Sequence, residues 1–171
     1  MSVTALYKGG IDSDLGPHRE RLYTLAVQVK AKQIIELGVR GGVSTVSLLA
    51  AAELTGGRVW SCDVAPHIAP DVVAASDRWT FYLGDDMSEA AQDAAPVKCD
   101  LLFIDTSHER DHTAAELAIY GPRVRKGGVI VMHDADPVIG QDVIGPALDY
   151  ARWNELTLTY YPGSHGLAVI R

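Results

Sequence analysis

Acidic residues and histidines follow two apolar runs in this chain of 171 residues, in positions suited to acid–base or metal chemistry. Asp105 ends the run 99–104, and His133 and Asp134 follow the run 129–132. Histidine titrates near neutral pH and can remove a proton, whereas carboxylates hold divalent cations. The candidate catalytic residues are His108, His133 and Asp105, and the candidate metal ligands are Asp105, Asp134, His133 and Asp136. Metal-assisted chemistry and a metal-free histidine base are both compatible with this set.

A glycine-rich turn forms a second candidate site. The run 34–37 is typical of a strand buried on both faces, and Val43 and Val46 begin a helical period. Glycines between them permit positive φ angles and close approach of a ligand, and the helix start offers free N–H groups. These glycines are Gly38, Gly41 and Gly42. The pattern predicts a ligand at the junction of strand and helix.

Two phosphate-binding motifs do not fit the turn. A dinucleotide fingerprint needs a second glycine where Arg40 stands, and no Gly-Lys-Ser/Thr sequence ends the turn as a P-loop requires. We therefore predict a nucleoside-like ligand without a closely held phosphate. A nicotinamide-dependent oxidoreductase is the weaker alternative.

Two further apolar runs also end in acidic residues. Asp63 ends the run 58–62, about 20 residues beyond the glycine turn, where a carboxylate can accept hydrogen bonds from ribose hydroxyls. Asp85 and Asp86 follow the run 79–83. The alternatives are a solvated strand end for Asp63 and a helix cap for Asp86.

Alternating strand and helix patterns predict a doubly wound α/β fold. The carboxyl ends of its parallel strands would bring the acidic residues to one edge. We treat 1–171 as one domain, with an arm at 1–16, mobile or docked, and a helix at 17–31. The predicted strands are 33–37, 58–63, 79–83, 99–105, 129–132, 156–161 and 166–170. Other predicted helices follow the glycine turn, cover 71–75 and 87–94, include Ala114 and Leu117, and cover 146–153. Residues 162–165 join the last two strands as a hairpin, and 137–145 form a loop.

These motifs resemble class I S-adenosylmethionine-dependent methyltransferases. Glu36, Gly38 and Gly42 match the acidic-x-Gly-x-x-x-Gly first motif of that class. The sequence Phe-Ile-Asp-x-Ser-His at 103–108, and the later Gly-Gly, apolar strand and His-Asp, are similar to the small-molecule O-methyltransferase branch. The resemblance covers about 30–171. It implies a Rossmann-like methyltransferase fold, a mostly parallel seven-stranded sheet with a C-terminal antiparallel hairpin.

The resemblance also implies a cofactor, a substrate and their binding residues. S-adenosylmethionine would be the cofactor, and a hydroxyl on a small molecule would be methylated, with Mg²⁺ or another divalent cation as an aid. Asp85 would bond the adenine amine and Met87 would pack on the ring. The implied cofactor-binding residues are Glu36, Gly38, Arg40, Gly42, Ser44, Asp63, Gly84, Asp85, Met87 and Asp105. His133 replaces an acidic ligand common in metal-using relatives. The alternative function is a non-catalytic nucleoside-binding subunit.

The amino-acid composition of the chain argues against some classes of binding partner. A formal net charge of −7, from 15 basic and 22 acidic residues, argues against a nucleic-acid surface. No apolar run approaches the roughly 20 residues of a membrane span, and no signal-peptide pattern is present, so we expect a cytoplasmic protein without a membrane partner. The short segment before the first strand predicts a substrate pocket that is open, closed by 1–16, or completed by a second subunit in a homo-oligomer.

Overall fold

Seven strands form one sheet in the computed structural model, which describes residues 2–9, 13–67, 69–138 and 142–171. The strands are β1 (Gln33–Leu37), β2 (Arg58–Asp63), β3 (Trp79–Leu83), β4 (Cys99–Ile104), β5 (Val124–His133), β6 (Leu158–Tyr161) and β7 (Leu167–Ile170). The helices are α1 (Val3–Gly9), α2 (His18–Gln28), α3 (Val43–Thr55), α4 (Asp71–Ala74), α5 (Glu89–Ala94), α6 (Arg110–Tyr120) and α7 (Ile144–Trp153).

The strand order is β3-β2-β1-β4-β5-β7-β6. Strands β1 to β5 pair in parallel, and β7 runs antiparallel to both β5 and β6. This confirms the predicted doubly wound sheet with its C-terminal hairpin. At the carboxyl end of β1, Leu37 pairs with Cys62 on one side and with Ile104 on the other. The loops after β1, β2 and β4 therefore begin side by side.

A hydrophobic core covers each face of the sheet. Ile34 packs with α2 and α3 residues such as Leu22 and Leu48, whereas Ile35 packs with Leu117 of α6 on the opposite face. Successive strand residues point to opposite faces, so β1 must be apolar at both positions. This burial explains the adjacent apolar residues from which the central strands were predicted.

Several boundaries differ from the sequence-based expectations. Residues 3–9 form α1, where Tyr7 stacks on Tyr23 with ring centroids 4.8 Å apart, so this part of the predicted arm is docked. Strand β5 begins at Val124, before the predicted 129–132. Helix α5 begins after Ser88, whose Oγ accepts the Ala91 N–H, so the alternative that Asp86 caps this helix was wrong.

Residues 139–141 of the predicted loop lie outside the described residues. Within the described ranges, no helix has the length and apolar character needed to cross a membrane.

Candidate active site

The glycine turn packs directly against the loop after β4. Gly38 has φ +89°, and a Cβ there would lie 1.9 Å from the carbonyl oxygen of Asp105. Gly42 has φ +73°, and a Cβ there would lie 2.7 Å from the Ala69 Cβ. Close backbone contact and positive φ therefore account for glycine at both positions. Gly41 differs, because a Cβ there would meet nothing within 4 Å.

Glu36 lies beneath the turn with no exposed surface. Its carboxylate accepts hydrogen bonds from Ser44 Oγ at 2.6 Å, Thr45 Oγ1 at 2.9 Å and Ser61 Oγ at 2.5 Å. Burial raises the pKa of Glu36 to about 7. These bonds join β1, β2 and the start of α3, so Glu36 supports the turn from below and does not line the cavity above it.

Asp63 orients the turn from the end of β2. Its Oδ2 accepts the backbone N–H groups of Val39 at 2.8 Å and Arg40 at 2.9 Å. The Arg40 side chain is 85% exposed and pairs with Asp14 at 3.0 Å. Both residues line the cavity with Asp63, so the segment before α2 reaches the glycine-turn side of the cavity.

The loop after β3 contributes two residues to the lining of the cavity. Gly84 and Asp86 line it, whereas Asp85 and Met87 are not among the described lining residues. Asp85 is exposed, and its Oδ1 accepts the Met87 N–H at 2.8 Å. The adenine contacts of Asp85 and Met87 stay predictions.

One cavity of about 770 Å³ joins the glycine turn to the residues after β4 and β5. This volume falls within the range of small-molecule sites. The cavity is lined by the turn, by Asp63 and Gly84, and by a group of polar residues on its far side. That group comprises Asp86, Asp105, Thr106, Ser107, His108, His112, Asp134 and His165.

Asp105, His108 and Asp134 converge at the far side. His108 Nε2 lies 3.0 Å from Asp105 Oδ1 and 3.1 Å from Asp134 Oδ2. Burial lowers the pKa of His108, but the Asp105 and Asp134 carboxylates outweigh burial and raise this pKa overall. Burial opposes ionisation of Asp105, but hydrogen bonds to His108 and His133 hold the pKa of its carboxyl well below the usual range. His108 and Asp134 have φ angles of +58° and +53°, a backbone strain that clusters at functional sites.

His133 is buried behind this group, and both its ring nitrogens face acceptors. Nδ1 lies 2.9 Å from Asp134 Oδ2 and 3.6 Å from Asp105 Oδ2, while Nε2 lies 2.9 Å from the Ser164 carbonyl oxygen. Burial favours the neutral ring, but hydrogen bonds to the two carboxylates raise the pKa of His133 to about 10. These contacts favour the imidazolium form of His133, whose charge would offset that of the two carboxylates. Its predicted roles as a base or a metal ligand stay predictions.

Asp136 stands apart from the converging group. Its Oδ1 accepts the Val138 N–H at 2.9 Å, within the loop after β5. At this side of the cavity, the ligand atoms of Asp105, His108 and Asp134 all lie within 4.8 Å of one another. The predicted metal set is thus brought together only in part, and His108 joins Asp105 and Asp134 as a candidate ligand.

The loop between β6 and β7 closes one side of the site. His165 is half exposed, and its Nδ1 lies 3.1 Å from Asp134 Oδ1. His18 Nε2 lies 2.7 Å from the Gly163 carbonyl oxygen, and His18 is 1% exposed. His18 is buried because this loop folds over it. The sequence predicted a hairpin loop at 162–165 but not its contacts with His18 and Asp134.

Together, the sheet order, the glycine turn and the acidic strand ends define a Rossmann-like methyltransferase fold. A family model described as a methyltransferase domain matches residues 35–135. The chain belongs to this family, which confirms the resemblance drawn from its motifs. A comparison with curated protein sequences finds no significant match.

Solved structures of methyltransferases share this fold. The S-adenosylhomocysteine-bound methyltransferase PaMTH1 of Podospora anserina is 16% identical, with a TM-score of 0.68 over 99% of this chain and 85% of that chain. An O-methyltransferase of Bacillus cereus bound to S-adenosylhomocysteine is 17% identical, with a TM-score of 0.70 over 98% and 88%. MycE of the mycinamycin pathway, bound to Mg and S-adenosylhomocysteine, is 19% identical, with a TM-score of 0.66 over 99% of this chain but 53% of its own.

Proposed function

We propose that this chain transfers a methyl group from S-adenosylmethionine to a hydroxyl of a small molecule. One observation carries the proposal. A single cavity contains both the glycine turn with Asp63 and the converging group Asp105, His108 and Asp134. Methyl transfer requires the cofactor and the hydroxylated acceptor to be held in line with each other. A nucleoside site and an acid–base site in one cavity would meet this requirement.

The residues of the turn fit the cofactor. Gly41 lines the cavity and leaves open space where a Cβ would stand, and the Asp63 carboxylate lies on the same wall. The Asp63 carboxylate accepts the Val39 and Arg40 N–H groups at Oδ2 and the Ala65 N–H at Oδ1. Its remaining lone pairs can accept bonds from ribose hydroxyls. All three structural relatives described above were solved with S-adenosylhomocysteine, which agrees with this assignment. When bound, S-adenosylmethionine supplies a methyl group on a sulfonium.

The far side of the cavity would prepare the acceptor. His108 is the base that we assign, because it lines the cavity with Asp105 and Asp134 within hydrogen-bond distance. It would take the hydroxyl proton, and the two carboxylates would stabilise the imidazolium that results. His133 would keep both carboxylates in place from behind. The same three residues fit a divalent cation, which would supply Lewis-acid activation of the hydroxyl.

A methyl-transfer assay tests the proposal. Labelled S-adenosylmethionine would be incubated with a panel of phenols, catechols and sugars, using the wild type and the variants His108→Asn and Asp93→Asn. We expect product from the wild type, a loss of at least about 100-fold in His108→Asn, and no change for the exposed control Asp93. S-adenosylhomocysteine binding without any product would favour the non-catalytic nucleoside-binding subunit. Full turnover in excess chelator would exclude a metal requirement.

A further inference from the structure

A second cluster of ionisable side chains lies at the edge of the cavity and has no part in the proposed reaction. Asp86 comes from the loop between β3 and α5, whereas His112 and Glu116 stand one turn apart on α6. His112 Nε2 lies 3.4 Å from Asp86 Oδ1 and 3.5 Å from Glu116 Oε1. The ligand atoms of the three residues all lie within 4.8 Å of one another.

The two carboxylates of this cluster are buried and incompletely bonded. The side chains of Asp86 and Glu116 are 7% and 0% exposed. Thr106 Oγ1 donates to Glu116 Oε1 at 2.7 Å, but in the described part of the chain no other group donates to Asp86 Oδ2 or Glu116 Oε2, and the two carboxyl groups face each other. Burial raises the pKa of Asp86, and burial raises the pKa of Glu116 to about 9. Two adjacent buried carboxylates require either a shared proton or a cation.

We propose that Asp86, His112 and Glu116 bind a divalent transition-metal cation, for which Zn²⁺ is the best match. Four ligands at about 2.1 Å from a tetrahedral ion lie about 3.4 Å from one another. The two measured separations from His112 Nε2, 3.4 and 3.5 Å, agree with this spacing. One imidazole with two carboxylates suits zinc better than Mg²⁺ or Ca²⁺, which prefer oxygen ligands alone. The two carboxylates would also balance the charge of the ion.

The position of the cluster gives the ion access to the cavity. Asp86 and His112 line the cavity, and Glu116 lies buried beneath them. A fourth coordination position would therefore open toward whatever occupies the cavity. The hydrogen bond from Thr106 orients the Glu116 carboxylate, in the way that outer partners orient metal ligands. The site is separate from the group Asp105, His108 and Asp134.

Metal titration tests this inference independently of methyl transfer. The full chain carrying Asp134→Asn, which impairs the other candidate metal group, would be stripped with chelator and titrated with Zn²⁺ against a chromophoric competitor. We expect one Zn²⁺ per chain and at least about a tenfold loss of affinity on adding His112→Asn or Glu116→Gln. Adding Asp111→Asn, which alters an exposed carboxylate on the same helix, should leave affinity unchanged. Co²⁺ should show the intense visible bands of four-coordinate geometry.

Two results would overturn the inference. One is that the Asp134→Asn chain binds no Zn²⁺ at micromolar concentration, which would leave a shared proton between Asp86 and Glu116. The other is that binding persists with unchanged affinity in both cluster variants. Glu116→Gln preserves side-chain volume and an acceptor for Thr106, so it tests the site even if His112→Asn unfolds, and circular dichroism would verify that it is folded.

Discussion

The substitution Glu36→Gln should make the stability of the protein less dependent on pH. In the folded chain, burial raises the pKa of Glu36 to about 7, from an ordinary value of 4.5. Both the folded and unfolded states hold the proton below about pH 4.5, but between that pH and 7 only the folded state retains it. The wild type therefore loses stability as pH rises through this window, and a glutamine, which cannot ionise, does not.

The expected size follows from the same shift. A difference of 2.5 between the folded and ordinary pKa values corresponds to about 3 kcal/mol. Of this, about 2.5 kcal/mol should develop between about pH 5 and pH 8. Any cost of rearranging the hydroxyls of Ser44, Thr45 and Ser61 around an amide would be a constant offset, which the pH dependence removes.

Urea unfolding of both proteins at several pH values would measure the effect. The free energy of unfolding of Glu36→Gln minus that of the wild type should increase by about 2.5 kcal/mol from about pH 5 to pH 8. Glu89→Gln, which replaces an exposed carboxylate in the first turn of α5, serves as the control. Its free energy of unfolding minus that of the wild type should change by less than about 1 kcal/mol over the same pH range. A constant difference for Glu36→Gln would refute the reasoning.

Two further stability predictions follow from the site. Gly38→Ala should destabilise by about 2 to 5 kcal/mol in urea unfolding, since a Cβ would strike the Asp105 carbonyl at positive φ, whereas Gly41→Ala should stay within about 1 kcal/mol. Equal effects would contradict this. His133→Gln should lower the stability measured by thermal unfolding by about 3 to 5 kcal/mol, because it leaves the Asp134 and Asp105 carboxylates uncompensated. His165→Gln removes a half-exposed ion pair and should lower stability by less than about 1 kcal/mol. A wild-type melting profile for His133→Gln would count against its imidazolium role.

The sheet was predictable because its strands are buried on both faces. The strands ending at Leu37, Asp63 and Ile104 contain adjacent apolar residues, which point to opposite faces as burial on both faces requires. Parallel pairing then places the loops after these strands at one edge, which correctly predicted that Asp63 and Asp105 share a cavity. Helix α1 could not be predicted, because its seven residues depend on packing against α2 and α3.

The side-chain geometry of the site required the folded structure. His112 and Glu116 are separated by one helical turn, a spacing that could have indicated a shared face, but nothing in the sequence shows that Asp86 lies opposite them. Likewise, the contacts of His133 with Ser164 and of His165 with Asp134 depend on how the last hairpin folds back. Such contacts between distant segments determine which histidine can act as a base.

Calorimetric titration with S-adenosylhomocysteine tests the central claim most directly. We predict one binding site per chain, with affinity reduced about 10- to 100-fold in Asp63→Asn, because a neutral amide replaces the charged acceptor for the ribose. The variant keeps an oxygen that can accept the Val39 and Arg40 N–H groups but loses the acceptor of the Ala65 N–H, so circular dichroism should first verify that it is folded. Absence of binding by the folded wild type at millimolar ligand would contradict the assignment of this cavity to a methyltransferase cofactor.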